Sequence, residues 1–151
     1  MPPAPLDPAD DPLADLADLL LNVGRLVRAR TPTAAEVVAL TETERTVMRV
    51  VDLRPGSAPS EIARRTRLQR TNVSTALQAL ESKGMVRRRP GPGRGVSVVP
   101  TDLAATNLRL LRAAWSRELA GVVDDLDAVR RCNEVLTVLE QHLTSGGSDE
   151  G

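Results

Sequence analysis

The chain has 151 residues, 41% of them hydrophobic, with one Cys, one His, and 20 basic side chains balanced by 20 acidic ones. That length suits one domain with helical extensions, and a single Cys excludes an intramolecular disulfide and most structural zinc sites. No stretch is apolar enough to span a bilayer, and the first twelve residues carry Asp and Pro where a signal peptide has a basic start and an apolar run, so a soluble cytoplasmic protein is expected. With no Phe, no Tyr and only Trp115, the core must be built from Leu, Val and Ala.

Residues 1–12 are rich in Pro and Asp and read as a disordered tail. From Leu13 the apolar residues fall at 13, 16, 20, 23 and 27, with 19 and 26 on the adjoining flank, which is helical period. So wide a stripe, lying outside any other module, reads as a surface for a second subunit; plain core packing is the alternative. Thr31-Pro32-Thr33 breaks this helix, and Ala34 to Leu40 reads as a short helical turn, so that 13–40 forms an N-terminal dimerisation segment. Thr41-Glu42-Thr43-Glu44 fits a capping box, in which Thr41 caps and Glu44 reaches back. Val47, Met48, Val50 and Val51 give the next helix its buried side, and Arg54-Pro55-Gly56 ends it.

Residues 41–100 carry the pattern with the most information. Ser60 to Thr66 reads as a short helix, with Pro59 suited to a first helical position. A tight turn comes next, and then a second helix over Leu68 to Lys83, stopped by Gly84 as a left-handed cap. Val73, Ala76, Leu77 and Leu80 form the apolar face of this second helix. Its other face carries Gln69, Arg70, Thr71, Asn72, Ser74, Thr75 and Gln78, side chains that bond base edges and phosphates. Met85 to Arg89 and Val96 to Val99 read as a hairpin whose tip is Pro90-Gly91-Pro92-Gly93-Arg94-Gly95. Helix, turn, helix and basic hairpin make the plan of a winged helix-turn-helix. From Arg54 to Arg94 there are nine Arg, one Lys and two Glu, a charge of +8 in a chain that is neutral overall. A basic stripe on so short a segment is the electrostatic footprint of a phosphate backbone, a reading favoured here over a merely solvated surface. Arg87, Arg88 and Arg89 are candidates for phosphate contacts, and Arg94 for the minor groove.

Thr101-Asp102 starts a long helix, and apolar residues continue at helical spacing from Leu103 to Leu126 and from Val129 to Leu143, with a break near Asp124 to Asp127. Residues 101–143 read as C-terminal dimerisation helices and 144–151 as a disordered tail. The fold class is therefore mainly α with a small β-hairpin.

Leu40 to Asp102 resembles the MarR family of winged-helix bacterial transcriptional regulators. The matching residues are Leu40-Thr41-x-Thr43-Glu44, Ser60-Glu61-Ile62-Ala63, Leu68-x-Arg70-Thr71-x-Val73-Ser74, Leu80-Glu81-x-Lys83-Gly84-Met85-Val86-x-Arg88 and Val98-x-Pro100-Thr101. The resemblance implies a two-fold homodimer, interlocked through its first and last helices, that presents two reading helices to successive major grooves and most often acts as a repressor. Four residues depart from the pattern. Arg67 occupies a turn position where Gly is usual, and Gln69 the place of a better helix cap. Gly93 replaces an acid that braces the wing Arg, and Arg45 stands where an aromatic is common. Many relatives bind small aromatic acids between the reading domain and the dimerisation helices. Here Arg25, Arg28 and Trp115 are the candidates for such an effector pocket, with surface solvation the favoured reading of the two arginines. Cys132 reads as a small buried hydrophobe rather than an oxidant sensor, and His142 as a surface residue at a helix end.

The residues favour a sequence-specific DNA-binding regulator. Two alternatives are a low-specificity architectural DNA binder and a protein-interaction adaptor that kept only the fold. No catalytic constellation, metal cluster or cofactor motif is visible, so no enzyme is expected.

Overall fold

The computed structural model describes residues 11–145; the expectations for residues 1–10 and 146–151 lie outside it. The described residues form six α-helices and one two-stranded antiparallel sheet: α1 (Pro12–Arg30), α2 (Glu42–Leu53), α3 (Pro59–Thr66), α4 (Arg70–Ser82), β1 (Val86–Pro90), β2 (Val96–Pro100), α5 (Asp102–Leu119) and α6 (Leu126–Ser145). No helix among these residues is long and apolar enough to cross a membrane.

Local chemistry accounts for most boundaries. Asp11 accepts from the Leu13 N–H and Pro12 occupies the first turn, so α1 starts inside the stretch that composition assigns to a tail. The capping box of α2 is complete: the Glu44 N–H donates to Thr41 Oγ1 at 3.2 Å and the Thr41 N–H to Glu44 Oε2 at 3.1 Å. At the end of α4, Gly84 has φ 74°. There the Met85 N–H bonds the Leu80 carbonyl at 2.9 Å and the Gly84 N–H that of Glu81 at 3.0 Å. This is the paired cap that a left-handed glycine permits. Thr101 Oγ1 then donates to the Gly84 carbonyl at 2.6 Å and accepts from the Ala104 N–H at 3.2 Å, so one hydroxyl joins that cap to the start of α5.

Three expectations are corrected. The segment from Ala34 to Leu40 is no continuous helical turn: a 3-10 turn spans Thr33–Ala35 and Glu36 is already extended. A long-range pair of bonds holds the residues beyond Glu36, because Asn107 donates to the Val38 carbonyl at 3.2 Å and accepts from its N–H at 3.0 Å. α4 starts at Arg70 rather than Leu68, since Gln69 is extended (ψ 146°) and its side chain makes no capping bond. α6 runs through Thr144 and Ser145, which composition assigns to a tail.

The core sits where α2, α3, α4 and the sheet meet. Val47, Val51, Ile62, Leu77, Leu80 and Val98 are fully buried there, with Val73, Met85 and Val86 nearly so. It holds no aromatic side chain, so close packing rests on interlocked branched aliphatics; each fully buried one contributes roughly 1.5–3 kcal/mol. Ala63 is small enough for α3 to cross α4 closely and is itself buried. The sheet gains a third partner in Ser57, which bridges Val98: the Gly56 N–H bonds the Val98 carbonyl at 2.8 Å and the Val98 N–H that of Ser57 at 3.0 Å. α1 and α6 contribute no buried residue.

A half-buried polar link ties α4 to α2. Lys83 Nζ lies 2.6 Å from Glu44 Oε2 and 3.0 Å from the Ala39 carbonyl. Glu44 is 6% exposed, so its charge depends on that ammonium group and on the Thr41 N–H. Lys83→Met should therefore cost about 2 kcal/mol in urea unfolding, short of the full cost of breaking a buried pair because a third of the Lys83 side chain remains in water. A change below about 0.5 kcal/mol would show that Glu44 is not strained by its burial.

Arg67 is the only non-glycine residue with positive φ among those described (φ 57°, ψ 22°). A side chain there crowds the adjacent carbonyl oxygen, which glycine avoids. Arg67→Gly should raise unfolding free energy by about 1 kcal/mol, and a loss of stability would mean that the Arg67 side chain itself holds the turn.

Candidate nucleic-acid interface

The fold turns the polar side of α4 outward. Val73, Ala76, Leu77 and Leu80 are buried, so Arg70, Thr71, Asn72, Ser74, Thr75 and Gln78 are exposed, as is Gln69 just ahead of the helix. Thr75 Oγ1 donates to the Thr71 carbonyl at 3.0 Å, which leaves its lone pairs but not its proton for an outside partner. Arg70 and Asn72 have no side-chain partner among the described residues. The helix points its N-terminus, with unbonded N–H groups and positive dipole end, in the direction of these side chains. Gln69 closes none of those N–H groups, so they remain open to a phosphate.

Both acids of the basic segment are engaged by arginines. Glu61 Oε1 is 2.9 Å from Arg65 Nε and 4.0 Å from Arg64, and Glu81 Oε2 is 3.0 Å from Arg88 Nε. Arg54, Arg67, Arg70, Arg87, Arg89 and Arg94 form no ion pair among the described residues, and all are exposed. The positive field over this face is thus not neutralised from within.

The hairpin sorts the three wing arginines by strand alternation. β1 pairs with β2 in the register Val86 to Pro100, Arg88 to Val98 and Pro90 to Val96. Val86 and Val98 are buried, so Arg88 shares the inward face and reaches Glu81 on α4. Arg87 and Arg89 lie on the opposite face. The three are consecutive in the sequence, yet the pleat separates one from the other two. Arg94 comes after Gly93 (φ 66°) at the exposed tip. The tip closes through the Gly91 N–H on the Gly95 carbonyl at 2.8 Å.

A second site lies between α1, α2 and α5, a cavity of about 300 Å³ walled by Leu40, Met48, Met85, Leu108, Leu111 and Trp115. Of the three candidates for an effector pocket, Arg28 and Trp115 line it and Arg25 does not. Arg25 bonds Asn22 Oδ1 at 3.0 Å on the solvent side of α1. Arg28 is itself paired with Glu42 at 2.7 Å, and Trp115 Nε1 donates to Thr31 Oγ1 at 3.0 Å. Arg45, placed where an aromatic is common, pairs with Glu36 across the cavity wall and donates to the Leu40 carbonyl at 3.2 Å. Sequence reasoning missed Asp52, which also lines the cavity; burial pushes its carboxyl up to about 6. The available signal was its spacing, since Asp52 is the acid of α2 that continues the stripe of Met48.

Cys132 is exposed, contrary to the expectation of a buried hydrophobe, because α6 buries none of its residues in the single chain. His142 is exposed in the last turn of α6. Among the described residues no group of three His, Cys, Asp or Glu is placed to hold a metal ion.

Comparison with known proteins agrees with this geometry. The MarR family model matches residues 38–95. The HTH-type transcriptional repressor Rv2887 of Mycobacterium tuberculosis is 33% identical over 119 residues, covering 74% of this chain and 84% of that protein. Its crystal structure, solved in complex with p-aminosalicylic acid, superposes with a TM-score of 0.60 at 28% identity over 82% of this chain and 97% of that one. CouR from Rhodococcus jostii RHA1, solved bound to p-coumaroyl-CoA, shares the fold with a TM-score of 0.64 at 20% identity, over 94% of this chain and 97% of that one. A winged helix with an outward polar face on α4, flanked by long helices and matched over most of its length by such a repressor, places the chain in the MarR family of transcriptional regulators.

Proposed function

We propose that the protein is a dimeric, sequence-specific repressor, acting in the cytoplasm, that reads a palindromic operator. In this reading α4 of each copy enters a major groove, and the wing lies along the backbone with Arg94 at the minor groove. The observation that carries it is the outward face of α4, where Arg70 and Asn72 stand exposed and unpaired among the described residues, on a helix with no acid before Glu81. Arg matches the two acceptors of guanine, and Asn the acceptor and donor of adenine. Gln69, Thr71, Ser74 and Thr75 would add backbone and base contacts around them, and Arg87 and Arg89 phosphate contacts from the wing face opposite Arg88.

Dimerisation through the ends is supported by apolar side chains that the single chain leaves in water. Leu13 is 69% exposed, Leu21 77%, Val138 64% and Leu143 63%. Apolar surface of this kind on terminal helices calls for a partner, and a second copy supplies a two-fold pair of reading heads. A small-molecule effector belongs to the reading as well. Two structurally similar proteins were solved with small molecules bound, and the cavity beside Trp115 is where this chain would hold one.

Three outcomes are expected. Arg70→Ala should lose roughly 1–3 kcal/mol on the preferred operator and relax the preference at one position per half-site, in competition against every single-base variant; uniform weakening with an unchanged profile would take Arg70 out of the reading set, and Asn72→Ala is tested in the same way. Arg87→Ala or Arg89→Ala should flatten the log–log salt dependence of binding by about one unit, on specific and non-specific DNA alike, whereas a loss confined to the operator would make these residues base readers. Deleting residues 1–30 should turn a dimer in sedimentation velocity into a monomer or an aggregate, and a dimer of unchanged stability would refute interlocking through the ends.

A further inference from the structure

The cavity between α1, α2 and α5 is lined by more charge than its apolar walls suggest, and most of that charge is already spent. Arg28 pairs with Glu42, Arg45 with Glu36, and Arg49 with Glu140 of α6. Two lining groups, Asp52 and Arg112, have no ion pair among the described residues. They are not equivalent. Arg112 is exposed, and its long stem keeps the guanidinium in water, where its charge costs nothing. Asp52 is half-buried on α2, its carboxylate one carbon from the backbone, so it stays at the cavity wall where only part of it meets water. Its ionised form is penalised where it stands and improves when a donor arrives.

The other polar groups of the cavity are occupied. Asn107 spends its amide on both backbone groups of Val38, the Trp115 N–H is given to Thr31, and the Thr46 hydroxyl to the Glu42 carbonyl. A ligand entering here therefore meets apolar walls, the half-buried Asp52 carboxylate and the exposed Arg112 guanidinium. A carboxylate ligand would add a second negative charge beside Asp52, and the one lining cation without an ion pair among the described residues, Arg112, is exposed to water. We infer that this cavity binds a small aromatic or apolar molecule bearing a protonated amine, with the amine on the Asp52 carboxylate and the apolar body against Met48, Leu111 and Trp115. The inference rests on the effector reading of the cavity and gives that site a ligand class opposite in charge to the aromatic acids implied by the family resemblance. A volume of about 300 Å³ admits one ring and a short chain.

Trp115 is the only tryptophan and lines the cavity, so its fluorescence reports occupancy directly. The full-length protein is titrated with 2-phenylethylamine, 2-phenylethanol and phenylacetate, which differ in the terminal group and little in size. The amine should bind roughly tenfold or more tightly than phenylacetate, with the alcohol between them, as a charge-assisted bond to a half-buried carboxylate requires. Asp52→Asn keeps the shape, removes the strained charge and should fold at least as stably. It should erase the preference for the amine while binding of the alcohol persists. Tighter binding of phenylacetate than of the amine by the wild type would overturn the inference and leave the effector site standing, with Arg112 as its anchor. A preference for the amine that survives in Asp52→Asn would also overturn it. If none of the three probes perturbs Trp115 at millimolar concentration, both the inference and the effector reading fall.

Discussion

The commitment of one face of α4 to the core fixes the rest of the structure. Val73, Ala76, Leu77 and Leu80 are each within a few per cent of complete burial, and turning the helix to hide Arg70 or Asn72 would bring all four into water at a cost of several kcal/mol. The polar face is therefore presented before any DNA arrives. Everything around α4 holds that orientation: α3 crosses it over Ala63, the sheet covers its end through Val86 and Val98, and the glycine cap at Gly84 turns the chain straight into the wing. With no aromatic side chain in that core, the orientation depends on the fit of many small contacts rather than on one large anchor.

The same helix is linked to the cavity by polar bonds. The segment from Glu36 to Leu40 is held from three sides. Asn107 of α5 grips Val38, Arg45 of α2 grips Glu36 and the Leu40 carbonyl, and Lys83 at the end of α4 donates to the Ala39 carbonyl. Glu36 and Leu40 also line the cavity. One short segment thus touches the proposed effector site, the long helix α5 and the C-terminal end of α4. Lys83 joins Ala39 to Glu44 by a second bond, so a displacement of the segment strains both ends of the link.

Local signals were legible in the sequence where a residue acts on its near neighbours. The Thr41–Glu44 box, the stop at Gly84, the apolar stripe of α4 and the hairpin pairing each depend on residues close along the chain, and the structure reproduces them. The departure at Arg67 was also visible, and it appears as the left-handed turn residue. Features set by distant residues could not be read. The segment after Ala35 has the composition of a helical turn, yet bonds to Asn107, nearly seventy residues on, hold Val38 outside any helix. The division of Arg87, Arg88 and Arg89 between two faces requires the strand register, and the role of Asp52 requires knowing that α5 and α1 close over it. Arg25 and Arg28 are one helical turn apart, but only the rotation of α1 against α2 decides which of them reaches the cavity.

The central claim is that two outward α4 helices, related by a two-fold axis, read bases. Selection of bound duplexes from a random pool by the full-length protein tests it most directly. The account predicts an inverted repeat whose half-site centres lie about one helical turn, roughly 10–10.5 base pairs, or a multiple of it apart. Bound DNA without a consensus would contradict it and favour an architectural binder, and a single unrepeated site would contradict the two-fold arrangement.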